Sequence, residues 1–356
     1  MDVELVGPED LDEALGDWAR LETTDPSLTP FNSSAWGRVW LEHWDVHAEP
    51  WILRVRRDDQ VVGLAPLALQ RRRGVRVLSM IGKEPGDYWD LIAPPSERAA
   101  VARAVGAELR RRSRAWDIAV ISCLPAGSAT LSGLTDGGLR LFRRPPVRSP
   151  AIQLPSSFED YLRTLSGSRR GNLRRHLNRL DRGELSVREV SQPDQIPGVL
   201  SRWHELRIRQ WRETGRELNP SHAEEHFLRF MVQAAIALLE PGFTSLSEVF
   251  AGERLAGVYL NFCDDRAFYW YLGGYEPDLG ALGVGKIVIA ATIRASIAAG
   301  RQWYDFTRGQ DEYKYWYGAR DRLLDSVVLA HDGARSRLAL TAAQGVSRYR
   351  GRKSGA

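Results

Sequence analysis

The chain has little cysteine, little lysine and no long apolar stretch. Cys123 and Cys263 are the only cysteines in 356 residues, too few for a disulfide framework or a thiolate zinc site. No apolar run approaches the roughly 18 residues that cross a bilayer. The best one, Val61–Leu69, is interrupted by Pro66. Met1–Asp10 is acidic and has no apolar segment of a secretory signal. A cytoplasmic protein without a membrane span is expected. Lysine is confined to Lys83, Lys286, Lys314 and Lys353, so nearly all of the 49 basic side chains are arginine. The net charge of +4 is only mildly basic, which argues against a dedicated DNA-binding protein.

What is present is ordinary globular material. Hydrophobic residues make up 43% and charged residues 26%, values that exclude disorder and collagen-like structure. The length predicts about two domains. A weak internal duplication gives their plan. Val55–Gly63 aligns with Val249–Gly257, each an apolar strand, a polar turn with an acidic residue, and a second strand carrying Gly. In both halves a third strand follows (Val75–Ile81; Ala267–Tyr275), then a long helix (Ser96–Arg112; Gly283–Ala299) and a strand opening on Trp (Trp116–Ser122; Trp303–Phe306). The expected fold is α/β with mixed sheets, in two similar halves packed together, 1–148 and 149–350. Further helices are expected over Pro8–Leu21, Ser33–Trp44, Ser166–Asp181, Ile196–Thr214, Ser221–Leu239 and Arg335–Arg348.

The halves differ at one place. In the second, the third strand leads through Glu276-Pro-Asp-Leu-Gly-Ala-Leu-Gly-Val-Gly-Lys286 into an apolar helix. Glycines ahead of a helix let backbone N–H groups converge, and the helix dipole adds positive potential, an arrangement suited to a pyrophosphate. Leu282, Gly283, Val284, Gly285 and Lys286 are the candidate phosphate-binding residues. The corresponding stretch of the first half, from Glu84, carries prolines and carboxylates instead. Only the second half is equipped for a phosphorylated ligand.

The order hairpin, long strand, Gly-rich turn, helix, strand resembles the GNAT acyltransferase core. Four blocks, Phe31–Trp36, Gly86–Asp90, Ser168–Arg174 and Tyr304–Lys314, are similar to the acetyltransferase family that includes the cellulose-biosynthesis protein CelD. More distantly the chain resembles the Fem-type aminoacyl-tRNA-dependent transferases. It departs from the GNAT pattern at Gly280, which stands where that family has Arg or Gln, thinning the phosphate contact. The resemblance implies a cleft where two parallel strands splay and direct attack of an amine on the thioester of acyl-CoA (acetyl-CoA foremost). It puts the oxyanion donor near Leu272–Gly274, so Leu272 and Gly273 join the donor site. Asp305 and Glu248 are then the candidate bases, and Tyr313 the candidate acid. Arg308 and Lys314 are candidates for binding anionic groups, although the same block also fits an internal salt bridge that fixes a strand-to-helix turn.

Two other clusters are candidates for substrate binding. Asp87, Tyr88 and Asp90 would recognise a cationic acceptor if the halves pack face to face, or serve turn chemistry. Arg170 and Arg174, on a strongly basic helix, would contact the 3′-phosphate of CoA or a tRNA backbone, or form a solvated face. His222 and His226 have metal-ligand spacing but no third ligand, so no metal site is expected. Three functions follow: an N-acyltransferase using acyl-CoA on a small-molecule amine or amino sugar; a transferase using aminoacyl-tRNA; or a non-catalytic module in polysaccharide or natural-product assembly.

Overall fold

The structure, a computed structural model, describes residues 1–45, 47–214 and 224–353. In chain order the elements are β1 (Asp2–Leu5), α1 (Leu11–Glu22), α2 (Ser34–His43), β2 (Glu49–Arg57), β3 (Gln60–Arg72), β4 (Val75–Met80), α3 (Arg98–Arg111), β5 (Ile118–Pro125), α4 (Ala129–Asp136) and β6 (Arg140–Arg143). There follow β7 (Val147–Gln153), α5 (Phe158–Thr164), α6 (Gly167–Asp181), β8 (Ser186–Glu189), α7 (Ile196–Thr214), α8 (Glu225–Ala237), β9 (Thr244–Ala251), β10 (Arg254–Cys263) and β11 (Ala267–Tyr275). The chain ends through α9 (Val284–Ala298), β12 (Trp303–Asp305), α10 (Glu312–Trp316), β13 (Arg320–Ala330) and α11 (Ala334–Lys353).

Two compact units result, 1–147 with 323–356, and 148–322. The chain therefore leaves the second unit before its end. This differs from the expected division at 148/149 with a second half running to 350. The reason lies in β13, whose apolar Val327 and Leu329 fill the first unit's core while the strand pairs with β5 and β6.

In the first unit the strands run β1-β2-β3-β4-β5-β13, antiparallel except for the parallel pair β4/β5. The β2–β3 hairpin turns on Asp58 and Asp59, both with positive φ, the conformation that matches a two-residue turn to strand twist. Residues 63–70 of β3 are buried without interruption, the pattern of a strand covered on both faces.

The second unit repeats this plan with strands in the order β7-β12-β11-β10-β9-β8. Again one neighbouring pair, β11/β12, is parallel. That pairing covers only Ala267↔Trp303 to Tyr269↔Asp305, whereas β11 stays paired with β10 as far as Tyr275. Beyond Tyr269, β11 therefore has an open edge. Helix α9 is apolar almost all round, and Ile287, Ala290 and Ile293 sink into a core shared with Leu173 and Leu177 of α6. An all-apolar helix of this kind is one that is covered on most sides.

Candidate active site

The open edge of β11 borders a cavity of about 1380 Å³ lined entirely by residues of the second unit. A pocket for one drug-sized ligand is roughly 300–1,000 Å³. There is room here for two reactants.

One corner of the cavity is the turn before α9. Residues Pro277–Leu282 form a short 3-10 segment that ends at Gly283, whose φ of 70° and ψ of 35° are left-handed. Glycine takes this conformation without the penalty of a Cβ. The first α-helical bond of α9 runs from the Ile287 N–H to the Gly283 carbonyl. The N–H groups of Val284, Gly285 and Lys286 thus have no acceptor within the helix. Lys286 is exposed into the cavity.

Tyr259 of β10 completes this corner. It is 2% exposed, and its hydroxyl has no hydrogen-bond partner. The hydroxyl lies 3.5 Å from where a Cβ on Gly285 would stand. Burial pushes its pKa up, so it stays a protonated donor. A buried donor without a partner beside three backbone N–H groups at a helix start is an arrangement chemically suited to an acceptor-rich group.

Helix α6 closes the corner from the other side. Arg169, Asn172 and His176 line the cavity, and their i, i+3, i+7 spacing puts them on one face. Cε1 of His176 lies 3.5 Å from a Cβ built at Gly283. Burial, and then the charges of Lys286, Arg179 and Arg175, lower the His176 pKa. Arg179 Nη1 donates to the Leu282 carbonyl at 2.6 Å, tying α6 to the turn.

Register points the backbone of β11. The Glu276 N–H donates to the Ala256 carbonyl of the β10 side at 3.0 Å. Alternation along the strand then directs the N–H of Gly274 and Leu272 toward β10, and those of Tyr275 and Gly273 toward the open edge. The register shifts between Leu260 and Phe262, where Asn261 Oδ1 accepts the Tyr271 N–H at 3.1 Å. The two residues of β11 at that shift, Trp270 and Tyr271, precede Leu272. The phase set by Glu276 therefore holds from Leu272 onward.

The residues expected from sequence divide sharply. Leu272, Gly273, Gly283, Val284, Gly285, Lys286 and Tyr313 line the cavity; Leu282 does not, and only its carbonyl is engaged there, by Arg179. Tyr313 is exposed as a residue, yet desolvation of its hydroxyl, and then the charge of Asp311, push its pKa up against a hydrogen bond with Trp270 that lowers it.

Asp305, expected as a base, is fully buried away from the cavity. Oδ1 accepts from the Thr307 N–H at 2.7 Å and from Ser149 Oγ at 3.3 Å, and Oδ2 pairs with Arg322 at 3.3 Å. Glu248, the other expected base, is 1% exposed and held by Arg202 at 2.7 Å and by Arg188. Lys314 is also a strut: its Nζ donates to the carbonyls of Arg308 at 2.7 Å and Gly309 at 3.1 Å and pairs with Asp311 at 3.3 Å. Arg308 contributes that carbonyl and does not line the cavity.

Helical phase removes Arg170 and Arg174 from the lining. Arg174 points instead to Glu159, at 2.8 Å. In the first unit, Asp87, Tyr88 and Asp90 are buried and present no exposed acidic pair. The Asp90 carboxylate accepts from Ser128 Oγ at 2.8 Å and from Thr130, with Arg98 at 3.6 Å; burial pushes its pKa up to about 6 against these bonds. His222 lies outside the described residues. Among the described residues no cluster suits a metal ion, and no helix is long and apolar enough to cross a membrane.

Sequence reasoning missed Arg207, Gln210, Tyr259, His176, Arg169, Asn172 and Glu312, all of which line the cavity. For Arg169, Asn172 and His176 a signal existed, the second polar face of α6. For Arg207 and Gln210 there was none, because α7 shows only ordinary amphipathic spacing.

Residues 167–315 match the family described as "Acetyltransferase (GNAT) domain". The match falls within the second unit and includes every lining residue except Trp316 and Tyr317. No curated protein matches the chain in sequence. Among solved structures, FemX is 11% identical with a TM-score of 0.64, covering 92% of this chain and 97% of that one. A conserved protein of unknown function from Bacteroides thetaiotaomicron VPI-5482 is 12% identical with a TM-score of 0.55, covering 93% and 100%. At these identities the likeness is one of fold. The chain is a mixed α/β protein of two units with similar strand plans, and residues 167–315 of the second are similar to the GNAT acetyltransferase domain.

Proposed function

We propose that the protein is an N-acyltransferase that moves an acyl group, acetyl foremost, from acyl-CoA to the amine of a small molecule or amino sugar. The observation that carries this reading is the corner at the start of α9. Three backbone N–H groups, Lys286 and the partnerless Tyr259 hydroxyl converge where a diphosphate would supply acceptor oxygens.

The chemistry follows from the open edge of β11. The amine lone pair attacks the thioester carbonyl carbon, a C–N bond forms, and the C–S bond then breaks. Negative charge gathers on the carbonyl oxygen, and the outward N–H of Gly273 is the donor aimed at it. With Asp305 and Glu248 committed to arginines, the proton acceptor is Glu312, a carboxylate that lines the cavity with no ion-pair partner among the described residues. Tyr313 acts on the sulfur. A phenol above its usual 10 or so transfers its proton uphill to a thiol of about 8.5. Tyr313 therefore stabilises the departing thiolate as a hydrogen-bond donor, and the sulfur takes its proton from the solvent-connected cavity.

Calorimetric titration with acetyl-CoA tests the reading. Binding is expected, and Lys286→Ala should weaken it by about tenfold, the loss of one exposed charge-assisted contact. An aminoacyl-tRNA donor is the competing reading that the basic helix α6 raises. Much of that charge is already paired, Arg174 with Glu159, and Arg179 and Arg182 with Glu184. Absence of heat with acyl-CoAs, or steeply salt-dependent binding of aminoacyl-tRNA, would overturn the acyl-CoA assignment.

A further inference from the structure

Arg207 is a cation of the cavity that donor binding does not call on. It comes from α7, which packs so closely on β11 that a Cβ at Gly274 would stand 3.3 Å from both the Trp203 carbonyl and Arg207 Cγ. Gly273, next along the strand, faces Tyr259 and Trp270 instead. Successive strand residues face opposite sides of a sheet, so Arg207 enters from the side opposite the Tyr259 corner.

Its polar partners are few. Nη1 donates to Gln210 Oε1 at 3.3 Å, and Nε is buried with no acceptor. It has no carboxylate partner among the described residues. The two buried arginines of the first unit also leave an Nε without a hydrogen bond, but both have carboxylates beside them. Arg54 meets Glu4 at 2.9 Å, Asp17 at 3.0 Å and Glu13 at 3.4 Å, and Arg98 meets Asp25 and Asp90. A partly desolvated guanidinium without an anion is held at some cost, and burial lowers the Arg207 pKa.

We propose that Arg207 anchors a carboxylate of the acceptor, so that the acceptor is an amino-acid-like molecule bearing both an amine and a carboxylate. This deepens the N-acyltransferase reading and rests on it. A planar guanidinium takes a carboxylate through two parallel hydrogen bonds. One positive charge balances one carboxylate, whereas the phosphates of the donor have their own cationic corner at Lys286. Glu312 lines the same cavity and supplies negative charge for the ammonium end.

The test reads binding rather than turnover. Thermal stability of the full chain is measured with a panel of free amino acids and with their primary amides. The acids are expected to protect the wild type more than the amides, and the difference should vanish in Arg207→Gln and Arg207→Met. Without ligand, Arg207→Met should melt at or above the wild-type temperature, and its affinity for CoA should be unchanged. The proposal is overturned if no amino acid protects, if amides protect equally, if Arg207→Met melts several degrees lower, or if it loses CoA binding. A wild type that fails to bind CoA sinks the donor reading alone, because the protection experiment needs no donor.

Discussion

A buried hydroxyl without a partner is a cost to the free protein, recovered only when an acceptor fills the space before it. Tyr259→Phe is therefore expected to leave the unliganded stability within about 0.5 kcal/mol of wild type. It should weaken CoA binding several-fold, checked by calorimetry. His176 offers a pH signature at the same corner. Its pKa is below the ordinary 6.5 or so, so it is neutral at about pH 7.5 and gains charge only as the pH falls through its lowered value. The difference in CoA affinity between wild type and His176→Asn should then widen in favour of wild type as the pH drops below about 6.5. The sign for stability is opposite. The unfolded chain takes the proton first, so below that pH this histidine costs the unliganded protein stability.

At the scale of elements, the short strand β12 and the turn after it depend on Asp305. Its carboxylate links Ser149 of β7, the Thr307 N–H and Arg322. Removing one partner from a buried pair costs roughly 3 kcal/mol. Asp305→Ala should therefore lower the melting temperature, while the folded fraction keeps its turnover. A loss of turnover without a loss of stability would return Asp305 to the chemistry. The elements themselves were largely legible. The hairpins, the strand Ala267–Tyr275 and the helix after the glycines stand where alternation and glycine placement put them. Short strands such as β6, β7 and β8 were not, because four to seven residues carry too little periodicity.

For the molecule as a whole, the return of β13 is what ties the end of the chain to its beginning. Leu329 is fully buried among residues of the first unit. Leu139 is the last of its buried core companions before β13 itself, so this contact closes a long stretch of chain. Leu329→Ala should cost about 2–5 kcal/mol, read by urea unfolding of the full chain. An effect under about 1 kcal/mol, no larger than an ordinary substitution, would mean that β13 is not part of that core. The expected half at 149–350 missed this return, since nothing local to Arg320–Ala330 says which sheet it completes.

Local rules were enough for the features that repeat along the chain or depend on one residue's backbone freedom. The duplicated order of strands and helices, and the glycine-led turn into an apolar helix, could be read before any coordinates. Which carboxylates are committed to arginines, and which cation is left without one, depends on neighbours far away in sequence. Asp305 and Glu248 looked available for proton transfer until Arg322, Arg188 and Arg202 were placed beside them. Arg207 looked like one more basic residue on an amphipathic helix until packing left it half-buried, its Nε enclosed, with no carboxylate paired to it among the described residues. Pairing of charge is decided across the fold, because Coulomb attraction and burial act between atoms that only packing brings together.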